Sequence, residues 1–236
     1  MHSAFATGEK HARDPHSGAA ALRGDAGPAL LDSYPAERRQ SPRSPRQRAD
    51  HLHLQIGAAY DPDAGRGADD FTPARCRALH LGYRYDSDAV IDPQPDLPSH
   101  EDVARTLDGA PGSRLPHLWV ERHGRRISTL DLVGSRFTLL TGADGDRWIR
   151  AAREAGERLG VAVAAHRIGP GAEVADPEGD WQRLAGLDAA GALLVRPDQF
   201  VAWRAGAPSD DPAGELERVL ARLLARESPA EHGGTA

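Results

Sequence analysis

The stretch from Phe137 to Ile168 limits what this chain can fold into more than any other. Phe137 to Thr141 (FTLLT) is a short uninterrupted apolar run, the pattern of a strand buried on both faces. Asp144 then stands where a helix N-cap is wanted. Trp148, Ala151, Ala152, Ala155 and Leu159 recur at helical spacing, and Gly160 follows where a left-handed residue ends a helix. Val161 to Ile168 reads as a second strand. A strand, a helix and a strand of these lengths predict a parallel pair joined by a right-handed crossover.

The flanking segments extend that unit. Leu118 to Arg122 and Arg126 to Leu130 flank His123-Gly124, a hairpin turn. Asp180 to Leu187 is expected to be a short helix. Leu193–Val195 and Phe200–Trp203 read as strands joined by Arg196-Pro197-Asp198-Gln199, with Pro-Asp suited to the centre of a type I turn. Asp211-Pro212 opens a last helix as N-cap and first residue, and Leu216, Val219, Leu220, Leu223 and Leu224 form its apolar face. The expectation is α/β: one thioredoxin-like mixed sheet with flanking helices at Asp146–Leu159 and Pro212–Arg226, preceded by an irregular N-terminal region.

Upstream of Gly112 the patterns break. The chain has 25 glycines and 18 prolines against 39% hydrophobic residues. Many of the turn formers lie in this first half. Arg38 to Arg48 (RRQSPRSPRQR) is a basic run broken by prolines, Asp61 to Asp70 (DPDAGRGADD) is a turn cluster, and Pro93, Pro95 and Pro98 favour extended backbone. Leu79, Leu81, Tyr83 and Tyr85 alternate as one face of a strand would. The domains expected are 1–112, largely irregular, in which Leu30, Leu31 and Tyr34 have little to pack on; 113–228, the thioredoxin-like domain; and 229–236, a disordered tail.

Four segments carry a resemblance. Arg114 to Leu132 (RLPHLWVERHGRRISTLDL), Arg136 to Asp144 (RFTLLTGAD), Asp176 to Trp181 (DPEGDW) and Leu194 to Arg204 (LVRPDQFVAWR) resemble the C-terminal domain of FAD-dependent aromatic-ring hydroxylases, the phenol, 2,4-dichlorophenol and polyketide hydroxylases. Leu22 to Arg39 (LRGDAGPALLDSYPAERR) is similar to the end of that family's flavin domain, Leu81 to Ile91 to the lead into its tail, and Met1 to Phe5 to the start of a helix beyond its last flavin contacts. Pro35 suits this helix only if the helix begins just before it. Gln199 stands where the family commonly has Gly, so a left-handed backbone there would be strained.

The resemblance implies FAD and NAD(P)H in intact members. This chain shows no Gly-x-Gly-x-x-Gly turn to hold a pyrophosphate, so no cofactor is expected in it and no catalytic, cofactor-binding or metal site is assigned. The expected role is a C-terminal fragment of a phenol-type monooxygenase whose tail domain is structural and redox-inactive. Its partner would be a flavoprotein hydroxylase body or a second copy of itself. The alternatives are a stand-alone module docking on a separate flavoprotein, and a truncated frame of an intact hydroxylase.

Other chemistries find little support. The thioredoxin-type redox position, Thr141 to Trp148, has no cysteine, and the single Cys76 cannot form an internal disulfide. His51, His53 and His80 lack further partners at metal-ligand spacing. Thr72 stands where a calcium loop starting at Asp61 needs Glu. Trp119, Trp148, Trp181 and Trp203 are read as packing residues. A net charge of −6 and 5% aromatic residues argue against nucleic acid. No apolar run approaches the roughly 20 residues that span a bilayer, and a soluble, cytoplasmic protein is expected.

Overall fold

The computed structural model describes residues 24, 26, 27, 30, 32–40, 84–93 and 107–226. In chain order the elements are α1 (Ser33–Gln40), β1 (Trp119–Arg122), β2 (Arg125–Ser128), a 3-10 turn (Thr129–Leu132), β3 (Phe137–Thr141), α2 (Asp146–Leu159), β4 (Val163–Arg167), β5 (Val174–Ala175), α3 (Trp181–Ala185), β6 (Ala192–Val195), β7 (Val201–Ala205) and α4 (Pro212–Leu223). His51, His53, Cys76, His80, Leu79, Leu81, Tyr83, most of the Arg38–Arg48 run and the Asp61–Asp70 cluster lie outside the described residues.

β3 is buried at all five positions because it is interior. The order of the larger sheet is β4-β3-β6-β7. β3 runs parallel to β4, with Phe137 opposite Val163, and antiparallel to β6, with Leu139 opposite Leu194. β6 and β7 form an antiparallel hairpin. This is the thioredoxin-like order expected. Alternation along the strands divides the core in two. Phe137, Leu139 and Leu194 face α2 and α4, which pack on each other through Trp148, Ala152, Ala155, Leu216 and Leu220. Leu140, Leu193, Val195 and Val201 face the opposite way, toward Leu118, Val120, Ile168, Val174 and Trp181.

All four strands of the expected mixed sheet lie in one sheet, and the chain also forms a second, smaller sheet that was not expected. β1 and β2 form the hairpin foreseen around His123-Gly124, both at positive φ, but they belong to a separate three-stranded sheet in the order β2-β1-β5. Two-residue β5 pairs with β1 through Glu121–Ala175 and Arg122–Val174. β2 is the outer strand of this sheet. Of the four tryptophans, three are buried; Trp119 is 47% exposed, on the outer side of the hairpin beneath the Arg126 guanidinium.

Several boundaries also shift. Gly145, not Asp144, is the N-cap of α2, because Asp144 turns its amide to the Ala189 carbonyl. The C-terminal end is as expected, with Gly160 left-handed at φ 64°. β4 starts at Val163 and α4 ends at Leu223, each two or three residues short of expectation, at ends where pairing frays. Asp211 caps α4 by accepting a hydrogen bond from Gly214 N–H.

The β6–β7 turn has the type I geometry followed by a left-handed residue, and that residue is Gln199 at φ 68°. Its side chain gains only a long contact, 3.5 Å, to the Leu130 carbonyl. A non-glycine residue in this region costs roughly 1–2 kcal/mol, so Gln199→Gly is expected to raise the urea midpoint by an amount equivalent to about 1 kcal/mol. An unchanged or lower midpoint would contradict the strain.

Candidate functional site

The most unusual cluster in the molecule is built at that same turn. Arg196 directly follows the all-apolar run Ala192–Val195 and is only 1% exposed. A charge so placed needs partners, because burying it alone costs several kcal/mol. Asp198, two residues on, takes Nε at 3.1 Å and Nη2 at 2.6 Å. Glu37 on α1, 159 positions away, accepts from Nη1 and, at 2.9 Å, from Nη2. Burial opposes the charge on Arg196, but Asp198 and Glu37 outweigh it and hold its pKa above the ordinary value.

The cluster closes on a third segment. Ser87 donates its hydroxyl to Glu37 at 2.8 Å and accepts from Ala89 N–H at 3.2 Å. Tyr85 stacks on Phe200, with ring centroids 4.3 Å apart, and the guanidinium lies about over both rings, 5.5 and 5.9 Å from their centres. Backbone bonds join the segments as well: Ile91 N–H to the Ala202 carbonyl at 2.7 Å, and Tyr85 N–H to the Gly112 carbonyl at 2.8 Å. Leu30, expected to have little to pack on, is 3% exposed and packs on Ala89 and Ala26. Pro35 is accommodated because α1 begins at Ser33, which keeps it in the first turn.

The sequence reading placed Arg196 and Asp198 only in a turn and singled out neither Glu37 nor Ser87. An Arg following a strand of wholly buried character was the available signal; its partner's distance in sequence hid the rest.

The redox position of a thioredoxin fold is closed. Its residues, Thr141 to Trp148, include no thiol, and the Trp181 indole donates to the Thr141 carbonyl at 3.2 Å. On β4, burial lowers the His166 pKa against the raising effect of Glu173. At neutral pH its ring is therefore uncharged, and its 3.4 Å approach to Glu173 is not an ion pair. Among the described residues no group of His, Cys, Asp or Glu could hold a metal ion, and no helix is long and apolar enough to cross a membrane.

Comparison with known proteins identifies this architecture. The family model described as aromatic-ring hydroxylase, C-terminal, matches residues 108–226. This chain belongs to that family. It is 42% identical over 231 residues to tetracenomycin A2 monooxygenase-dioxygenase of Streptomyces glaucescens, covering 92% of this chain and 37% of the relative. It is 36% identical over 239 residues to 2,4-dichlorophenol 6-monooxygenase of Delftia acidovorans, covering 86% and 41%. Aklavinone-11 hydroxylase, solved with FAD and aklavinone, superposes with a TM-score of 0.69 at 37% identity, over 94% of this chain and 39% of that one. The flavin-dependent monooxygenase PieE, solved with FAD and substrate, gives 0.63 at 36% identity, over 88% and 42%. The chain thus spans about two fifths of these hydroxylases, their C-terminal part.

The described residues do not fit the FAD that those hydroxylases bind. The glycine-containing strand-to-helix turn here is Gly142 to Gly145, opening α2. A Cβ on Gly142 would meet the Ala189 carbonyl, and one on Gly145 the Thr141 side chain, so the space freed by each glycine is filled by the chain itself. The amides of Gly142, Asp144 and Gly145 donate to Gly191, Ala189 and Gly142 carbonyls. Asp144 and Asp146 add negative charge. A pyrophosphate would find no room at either glycine and negative charge beside it.

Proposed function

We propose that this chain is the structural, redox-inactive tail of an FAD-dependent aromatic monooxygenase of the phenol or polyketide type, with no turnover of its own. The observation that carries the reading is the match of residues 108–226 to the C-terminal domain of aromatic-ring hydroxylases, on a fold whose thiol position and glycine turn are both filled by protein atoms. Flavin chemistry belongs to the cofactor, and side chains cannot replace it. In this reading residues 1–112 are the end of a flavin domain and a linker, 113–228 are the tail domain, and 229–236 trail from it. The partner is the body of a flavoprotein hydroxylase. A single cysteine, Cys76, suits a cytoplasmic location.

Purified chain is expected to be colourless, to retain no FAD and to leave NADPH unconsumed in the presence of phenols. Mixed with a hydroxylase body lacking its own tail, it is expected to co-elute in size-exclusion chromatography. A stoichiometric flavin spectrum in the chain alone would overturn the reading. Co-elution with itself only would place a second copy, not a hydroxylase body, as the partner.

A further inference from the structure

We infer that Arg196 is a seat for the Ser33–Gln40 helix, and that the tail completes its own fold only when a helix carrying a carboxylate occupies that seat. This rests on reading the chain as a hydroxylase tail with the end of the flavin domain before it. The family match starts at residue 108, whereas the seat draws on residues well upstream of that point.

The seat is formed on the tail side by short-range geometry. Arg196 N–H donates to the Phe200 carbonyl at 2.8 Å and Gln199 N–H to the Arg196 carbonyl at 2.9 Å, which fixes the turn. Asp198 then holds one edge of the guanidinium from within the turn. The edge carrying Nη1 is left pointing at Glu37, whose carboxylate takes both terminal nitrogens. Two parallel bonds of this kind fix direction as well as distance, which a lone ammonium would not. Ser87 orients the carboxylate from the other side.

The consequence is mutual dependence. The side chains of Arg196 and Glu37 are 1% and 5% exposed while the helix is seated, so each depends on the other for charge compensation there. Removing Glu37 leaves Arg196 with Asp198 alone and its Nη1 edge without a carboxylate, and removing Arg196 leaves the Glu37 carboxylate with only the Ser87 hydroxyl. Either break is costly in a buried site, whereas replacing buried partners together by apolar groups is often neutral. The seat therefore acts as a conditional contact. Loss of the helix should be felt in the β6–β7 hairpin and through it in the sheet, although β3, β6 and β7 lie wholly in the tail.

The test uses the full chain and three variants: Glu37→Leu, Arg196→Met and the double variant. Two signals are followed, tryptic cleavage after Arg38 and Arg39, and the urea midpoint of tryptophan fluorescence, which reports the buried Trp148, Trp181 and Trp203. Glu37→Leu is expected to raise cleavage about a hundred-fold or more and to lower the fluorescence midpoint in step with it. The double variant is expected to recover part of that midpoint, because Asp198, whose side chain is 18% exposed, can turn its carboxylate to water when Arg196 is gone. If Glu37→Leu frees the helix but leaves the midpoint where it was, the helix is a passenger and the inference fails. It fails equally if neither signal moves. Should Glu37→Leu not fold at all, recovery of folding in the double variant supports the seat and its absence refutes it. The measurement involves no flavin and no second protein, so its failure leaves the proposed role as a hydroxylase tail standing.

Discussion

Gly112→Ala is expected to unseat residues 84–93 from the tail and to lower the thermal midpoint by roughly 5–20 °C. Gly112 lies between two segments of the chain: its N–H donates to the Val201 carbonyl and its carbonyl accepts from Tyr85 N–H. Its φ is 85°, and an added Cβ would strike the Tyr85 carbonyl oxygen. The left-handed conformation costs an alanine about 1–2 kcal/mol. Crowding against backbone, which no rotamer change relieves, costs about 1–3 kcal/mol more. Gly134, whose added Cβ would meet nothing within 4 Å, supplies the control. Its alanine variant is expected to stay within about 0.5 kcal/mol of the parent. Equal midpoints for the two variants would show that the Tyr85 segment is not held where it is drawn. Amide exchange at Tyr85 gives an independent readout, faster in Gly112→Ala alone.

Trp148→Ala is expected to be the most damaging single truncation, at about 3–5 kcal/mol. Trp148 is 1% exposed and sits where α2, α4 and the sheet meet. Its ring meets Trp203 edge to face at 5.3 Å, and its indole N–H donates to the Ala190 carbonyl at 2.9 Å. Alanine there leaves a cavity between layers and an acceptor without its donor. The α2 positions nearest it on the buried face, Ala151, Ala152 and Ala155, are too small to fill that space. Urea unfolding followed by far-ultraviolet circular dichroism measures the loss. A cost near 1 kcal/mol would mean that the helix can collapse onto the sheet, contrary to the interior position of β3.

How much of this was legible in the sequence depended on the range of the interaction. The α2 bounds were readable to the residue because Trp148, Ala155 and Leu159 mark a face and Gly160 marks the end, all within one helix. The order of β3, β4, β6 and β7 followed from local apolar runs and one type I turn. The second sheet was not legible, since Val174–Ala175 is too short to leave a period and pairs with a strand more than fifty residues upstream. Asp144 looked a better cap than Gly145 by residue type, and only the Ala189 carbonyl decided against it. Trp119 was read as packing because a tryptophan in a strand usually packs; the side of the hairpin it takes is set by pairing with β2. The seat at Arg196 was the least legible of all. Its meaning lies in Glu37 and Ser87, which no local pattern ties to it.

Among the described residues β2 forms an edge of the smaller sheet, and this has a consequence for how the protein behaves in bulk. Unpaired strand edges invite copies of a chain to stack on one another. Here Arg125 and Arg126 stand exposed on that edge strand, and Arg126 also covers Trp119, the one large apolar side chain left in water among the described residues. Two such edges brought together antiparallel would set guanidinium against guanidinium. Arginine stays protonated at any pH a cell maintains, so this protection does not titrate away as one built on histidine or carboxylate would. It weakens instead with ionic strength, as the screening length contracts from about 8 Å at physiological salt to about 3 Å at 1 M. Concentrated salt, rather than acid or base, is thus the condition that most weakens the protection Arg125 and Arg126 give this edge.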